Sequence, residues 1–340
     1  VWEGAKLTKA QAQAVSGIER IYWTHQFESI FRLMIFEAEH VYLNQNEHTR
    51  NDSSTQTRDA RYVAQFKERY PLHRLERLAP LMHQLRAIKQ PQEITLLNRA
   101  MDITKDGFER ILKFVKPGVW EYEIEAELIH EFIKSRSKGF AYTPIIASGN
   151  NANVLHYIAN NMQCKDGDLI LLDVGAEYAN YSSDLTRTIP VNGKFTERQK
   201  QIYNAVLDMK NFATSLLVPG NNWYDYHKEC GEFYTSKFLE LGLLDKADVQ
   251  NQDKNWPAYK KYMMHGTSHH LGLDTHDYGI LKDKFVENMV FTVEPGIYLP
   301  AEGFGVRIED DMVIQNSGPA FNLMKNIPIE VEEIEELMNS

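Results

Sequence analysis

The run Leu169-Ile170-Leu171-Leu172 is wholly apolar and ends on an acid, Asp173, followed by Val174-Gly175. A short apolar run of this kind reads as a buried strand. A bare carboxylate at its end is costly unless it is paired or bound to a cation. The pattern constrains the chain strongly because it recurs. Asp184 lies in Ser183-Asp184-Leu185-Thr186-Arg187, Glu294 follows Phe291-Thr292-Val293, and Glu309 follows Val306-Arg307-Ile308. Both pairs sit in strand–turn–strand segments, Leu169–Thr188 and Asn288–Ile314. A turn centred near Tyr178-Ala179 places Asp173 opposite Asp184. A turn centred near Ala301-Glu302 places Glu294 opposite Glu309. Facing Cβ atoms in a ladder lie about 4.5–5.5 Å apart. Carboxylates that close share a proton or a cation.

A chain of 340 residues exceeds one typical domain, so two are expected. With 43% hydrophobic and 25% charged residues it is neither collagen-like, nor disordered, nor a small disulfide scaffold. Its apolar runs fall far short of the roughly 20 residues of a membrane-spanning helix, and no signal-peptide pattern opens it. A net charge of −10 argues against nucleic acid as the main partner. Cys164 and Cys230 form neither a CxxC pair nor a framework, which suits a reducing cytoplasm.

A boundary near Lys89-Gln90-Pro91 separates residues 1–88 from 89–340. The front part reads as a helix at 29–38, a strand at His40–Leu43, a polar turn at Asn51–Thr57, and helices at 57–70 and 72–87. Its histidines (His25, His40, His48, His73 and His83) are scattered and read as solvated or structural. Beyond the boundary, Leu97, Met101, Thr104, Phe108 and Ile111 recur with helical spacing. Ile202, Val206, Met209 and Phe212 do the same after a capping box at Thr196 and Gln199. Each helix stops at Pro-Gly, Pro117-Gly118 and Pro219-Gly220, and each stop is followed by a tryptophan and a second helix. The repetition hints at two copies of one unit. Long helices alternating with hairpins indicate an α+β fold, not a doubly wound parallel sheet.

A last piece is His265-Gly266-Thr267-Ser268-His269-His270-Leu271-Gly272-Leu273-Asp274-Thr275-His276. Four histidines this close, among glycines, point to metal binding or acid–base work. His270 reads as pocket wall, and His130 and His227, on helices, as structural.

The chain resembles the pita-bread metallopeptidases (family M24), most closely the Xaa-Pro aminopeptidases, also called aminopeptidase P. The matching pieces are Leu155-His156-Tyr157, Asp173-Val174-Gly175, Ser183-Asp184-Leu185-Thr186-Arg187-Thr188, His265 to His269, Leu273 to Asp277, Thr292 to Gly296 and Gly305 to Asp311, in that order across 89–340. The resemblance implies a pita-bread (creatinase/aminopeptidase) fold with a pseudo-twofold repeat, preceded by a partial α/β creatinase-like N-terminal domain at 1–88 that is truncated or reduced. It implies two divalent metal ions held by Asp173, Asp184, His269, Glu294 and Glu309, with Asp184 and Glu309 bridging. Manganese is the first expectation, with cobalt or zinc as alternatives. It further implies attack by a metal-bridging hydroxide on the Xaa-Pro peptide bond, which frees the N-terminal residue. Glu294 is the implied general base. His276 would hydrogen-bond the carbonyl or oxyanion, and His265 and His156 would line the pocket. Tyr298 and Arg307 would sit beside the ligands, the arginine orienting Asp173. Proline-containing peptides and a homodimer or higher homo-oligomer are the implied partners. A prolidase, which cleaves Xaa-Pro dipeptides, shares the ligands and stays open as the alternative. A binding relative of the same fold, without turnover, is a second.

Overall fold

The computed structural model describes residues 2, 4–45, 47, 55–279 and 281–340. His48 and residues 51–54 of the polar stretch lie outside the described residues. Contacts divide the chain into two compact units, Val1–Met82 and His83–Ser340.

In the first unit, His40–Leu43 and Arg74–Arg77 form a two-stranded parallel sheet, His40 facing Arg74 and Leu43 facing Arg77. Helices Lys9–Ser16, Phe27–Glu37 and Arg58–Arg69 accompany it. The rings of Phe31, Phe66 and Tyr70 cluster, with Phe66 and Tyr70 4.9 Å apart. The single helix expected over 72–87 is a correction: it is the strand Arg74–Arg77 followed by the helix Ala79–Ala87. Pro80 explains the break. Its ring suits the first turn of a helix and clashes with a helix running through it.

In the second unit, the apolar spacing becomes two helix pairs. Pro91–Leu112 is followed by Glu121–Lys134, and Glu197–Leu216 by Trp223–Glu240. Leu97, Met101, Thr104, Phe108 and Ile111 are buried on the first helix, and Ile202, Val206 and Met209 on the third. Thr196 and Gln199 form the expected capping box. The two Pro-Gly stops behave alike. Gly118 and Gly220 take φ of 94° and 90°, where glycine is favoured. Their amides donate to the carbonyls of Cys164 and Phe285, each at 2.9 Å.

Against these helices lie antiparallel sheets. Leu169–Val174 runs between Ile145–Ser148 and Leu185–Pro190. Val290–Val293 pairs with Asp310–Val313, and Gly296–Leu299 with Phe304–Arg307. A bridge between Thr186 and Glu309 joins the two hairpin systems. Leu169, Ile170 and Leu172 share a core with Leu97, Phe108 and Leu128 of the first helix pair. The architecture is α+β.

Candidate active site

The first hairpin corrects one expectation. Asp173 lies opposite Thr186, not Asp184. The turn sits one residue further along, at Ala179-Asn180, between the paired Tyr178 and Tyr181. Ala179 and Asn180 have φ of 52° and 70°, the two left-handed residues of a type I′ turn. Moving the turn by one residue moves every pairing by two. Side chains alternate with period two, so the face is kept. Asp184 is thus a diagonal neighbour of Asp173 on the same face.

The second hairpin follows the expected register. Val293 faces Asp310 and Gly296 faces Arg307 in one continuous register, which sets Glu294 across from Glu309.

The four acids and His269 converge. Asp184, His269 and Glu309 each offer a ligand atom, all within 4.8 Å of one another. His269 Nε2 lies 3.4 Å from Asp184 Oδ2 and 3.7 Å from Glu294 Oε1. Its Nδ1 is 2.9 Å from the His270 carbonyl, and donation there turns Nε2 towards the acids. Burial disfavours the charged ring, but Asp184 and Glu294 outweigh it and hold its pKa above the ordinary value. Asp173 and Glu294 fall outside the tightest group. Asp173 accepts from Arg307 Nη2 at 2.6 Å and from the Tyr142 hydroxyl at 2.7 Å.

The hairpins brace each other. Arg307, on the second, holds Asp173 of the first. Thr186, on the first, donates its hydroxyl to Glu309 Oε2 of the second at 2.7 Å. Arg187 is fully buried and donates to Asp310 Oδ1 at 2.6 Å and to the Glu309 carbonyl at 2.7 Å. Lys210 also pairs with Asp310.

Arg307 continues to Tyr298, whose hydroxyl accepts from Nη1 at 2.8 Å and lies 2.7 Å from His265 Nε2. His265 Nδ1 is 3.6 Å from Glu294 Oε2. Burial, and then the Arg307 guanidinium, pushes His265 down to about 3, so its ring is neutral. His276 is exposed, and its ring stands edge-on to His269 with centroids 4.3 Å apart. His156 is exposed beyond the short helix Gly149–Asn153, near enough to His265 to disfavour its protonation. His270 is buried against Phe291 and pushed down by burial to about 3.

The acids carry more negative charge than the protein neutralises. Burial pushes Glu294 up to about 7, with Asp184 and Asp173 adding to it against the pull of His269 and Arg307. Burial, then Asp184, Glu294 and Asp173, pushes Glu309 well above the usual carboxylate range. Even Asp173 is raised by burial despite Arg307. A set of buried oxygens around one imidazole nitrogen, each acid penalising the next, has the charge and chemistry that two divalent cations would balance.

Three contributors were not foreseen from the sequence. Tyr142 sits in an irregular stretch with no periodic signal. Thr186 is opposite Asp173 only because of the displaced turn. Asp311, whose Oδ2 accepts from the Asp184 amide at 3.0 Å, lies in the strand Asp310–Val313. Its signal was legible: a second acid beside Asp310, ahead of apolar residues.

The chain is similar to known proteins. Residues 95–316 match the model of metallopeptidase family M24. The chain is 35% identical over 350 residues to the Xaa-Pro aminopeptidase of Haemophilus influenzae, covering 99% of this chain and 78% of that protein. It is 40% identical over 271 residues to the Xaa-Pro aminopeptidase of Escherichia coli, covering 76% of this chain and 61% of that protein. Among solved structures, proline aminopeptidase P II of Yersinia pestis superposes with a TM-score of 0.84 at 31% identity, over 99% of this chain and 80% of that one. Zinc-substituted E. coli aminopeptidase P in complex with product gives 0.84 at 34% identity, over 99% and 79%. The α+β pita-bread fold is the fold these structures share with the chain.

Proposed function

The chain belongs to metallopeptidase family M24, and from that premise we propose that it is a metal-dependent exopeptidase releasing the N-terminal residue from peptides with proline in second place. The observation that carries the reading is the meeting of Asp184, His269 and Glu309 within 4.8 Å, flanked by Asp173 and Glu294. Those five residues would hold two divalent cations, Asp184 and Glu309 serving both. When bound, the pair supplies a water ionised near neutral pH and polarises the peptide carbonyl. Manganese is the expected metal, with cobalt or zinc as alternatives.

The chain's own groups do the rest. Glu294 takes the proton of the attacking water. His276 hydrogen-bonds the carbonyl oxygen as negative charge develops there. Tyr142 and Arg307 fix the Asp173 carboxylate, and Tyr298 ties Arg307 to His265. His265 and His156 line the substrate side. An Xaa-Pro bond has no N–H and a fixed φ on its proline, so the pocket must accept a bond that ordinary aminopeptidases handle poorly. The names of the H. influenzae and E. coli relatives support that specificity.

Residues 1–88 are proposed as a partial creatinase-like N-terminal domain, and a homodimer or higher homo-oligomer as the working assembly. Cys164 and Cys230 are free and buried, which suits a cytoplasmic protein. No helix among the described residues is long and apolar enough to cross a membrane.

The test is hydrolysis of Xaa-Pro-Yaa tripeptides by the purified chain. Cleavage after the first residue, abolished by a chelator and restored by manganese, is expected. Cleavage of Xaa-Pro dipeptides alone replaces the reading with a prolidase. Bound metal with no turnover of either peptide replaces it with a binding protein.

A further inference from the structure

The segment carrying His276 has little regular structure of its own, yet a buried charge cluster pins its far side. Asp277 follows His276 directly, and its side chain is 1% exposed. Lys89 Nζ, also on a side chain 1% exposed, lies 3.0 Å from Asp277 Oδ2. Arg86 Nη2 lies 2.5 Å from Asp277 Oδ1 and 2.6 Å from Asp274 Oδ2. The Arg86 guanidinium lies over the Tyr278 ring at 4.7 Å, and the His83 ring stacks with the same tyrosine, centroids 4.5 Å apart. One short stretch, 83–89, thus grips both ends of 274–278.

The backbone is shaped around this grip. A Cβ added at Gly272 would fall 2.1 Å from Asp277 Oδ2 and 2.8 Å from Lys89 Nζ, so only glycine lets the loop close. The Asp277 amide donates to the His270 carbonyl at 2.8 Å. That same oxygen is the one 2.9 Å from His269 Nδ1. A single carbonyl therefore ties the Asp277 backbone to the orientation of His269, against whose ring His276 stands.

Two fully desolvated charges are an expensive way to make a loop merely stable, since apolar replacement of a buried ion pair is often neutral or better. They do fix geometry. We propose that Asp277, clamped by Lys89 and Arg86, is a positioning residue that holds His276 in register with His269. The inference rests on the exopeptidase reading for its kinetic consequence and on the loop geometry for the rest.

The test uses the manganese-loaded protein with the substitutions Asp277→Asn, Arg86→Gln and His276→Ala. Outer partners of this kind typically control about 10–100-fold. Asp277→Asn is expected to lower kcat on an Xaa-Pro-Yaa tripeptide within that range, with KM and metal content unchanged. The double variant with His276→Ala is expected to be no slower than His276→Ala alone, because Asp277 acts only through that ring. A fall that adds to that of His276→Ala, or a loss of metal, makes the clamp a general stabiliser and overturns the proposal. Arg86→Gln removes one arm while the Lys89–Asp277 pair remains, and is expected to show the same non-additivity with a smaller fall. It carries the test if Asp277→Asn does not fold. In the protein loaded with diamagnetic zinc, the His276 imidazole NMR signal, identified by its loss in His276→Ala, is expected to shift in the clamp variants. An unmoved signal overturns the proposal even if the unsubstituted chain cleaves no Xaa-Pro peptide, an outcome that on its own defeats only the exopeptidase reading.

Discussion

The hairpins Leu169–Pro190 and Val290–Val313 bring paired acids to one place by different routes. In the second, the acids face each other across a register that runs unbroken from Val293–Asp310 to Gly296–Arg307. In the first, a type I′ turn at Ala179-Asn180 displaces the pairing, and Asp173 meets Asp184 on the diagonal. The environments differ too. Asp173 has a guanidinium at 2.6 Å and a phenol at 2.7 Å. Glu309 has the Thr186 hydroxyl and three acids that raise its affinity for a proton. The face on which an acid sits is a robust property of a strand, whereas its partner across the ladder depends on one turn. The two halves of the site should therefore respond differently to change.

The largest expected effect is at the shared acids. Asp184→Ala or Glu309→Ala should remove both metals and leave no measurable turnover, as read by elemental analysis and a tripeptide assay. Full activity in either variant would refute the bridging role. Next is the brace. Arg307→Met frees Asp173, and metal affinity should fall about 10–100-fold in a chelator competition. His276→Ala should keep the metal and lose about 10²-fold in kcat, which separates a substrate-facing histidine from a ligand.

The chelated protein gives a pH test. Glu294 is held at about 7, and Glu309 well above its ordinary value, in the folded apoprotein. An acid raised in the folded state contributes stability that is present below its unfolded pKa and is lost as pH rises through its folded pKa. His265 and His270, held down at about 3 by burial, oppose this gain on acidification, so the acid's share is the part of the pH 5 to pH 8 change in melting temperature that Glu294→Gln removes from the apoprotein, as followed by calorimetry. Manganese should erase that gain, because cations replace the protons. The smallest effect belongs to the turn. Ala179 pays for a left-handed φ of 52°, so Ala179→Gly should stabilise the chain by roughly 0.5–1 kcal/mol without altering kcat.

The acids are legible in the sequence because a carboxylate ending an apolar strand contradicts its surroundings. The helices are legible through spacing, capping residues and Pro-Gly stops. The diagonal offset was not, because Ala-Asn carries none of the Asn-Gly signal of a type I′ turn. Tyr142 was not, because a tertiary contact from an irregular segment leaves no local pattern. The strand Arg74–Arg77 was hidden by an arginine–leucine rhythm that also fits a helix, although Pro80 marked where such a helix must break. Lys89 and Asp277 lie far apart along the chain, and neither betrays that its charge will be buried.

The most direct measurement is anomalous diffraction at the manganese edge from crystals of the loaded protein. Two peaks are expected, both among Asp173, Asp184, His269, Glu294 and Glu309. Peaks elsewhere, or none among these five residues in a protein that cleaves Xaa-Pro peptides, would contradict the dinuclear site.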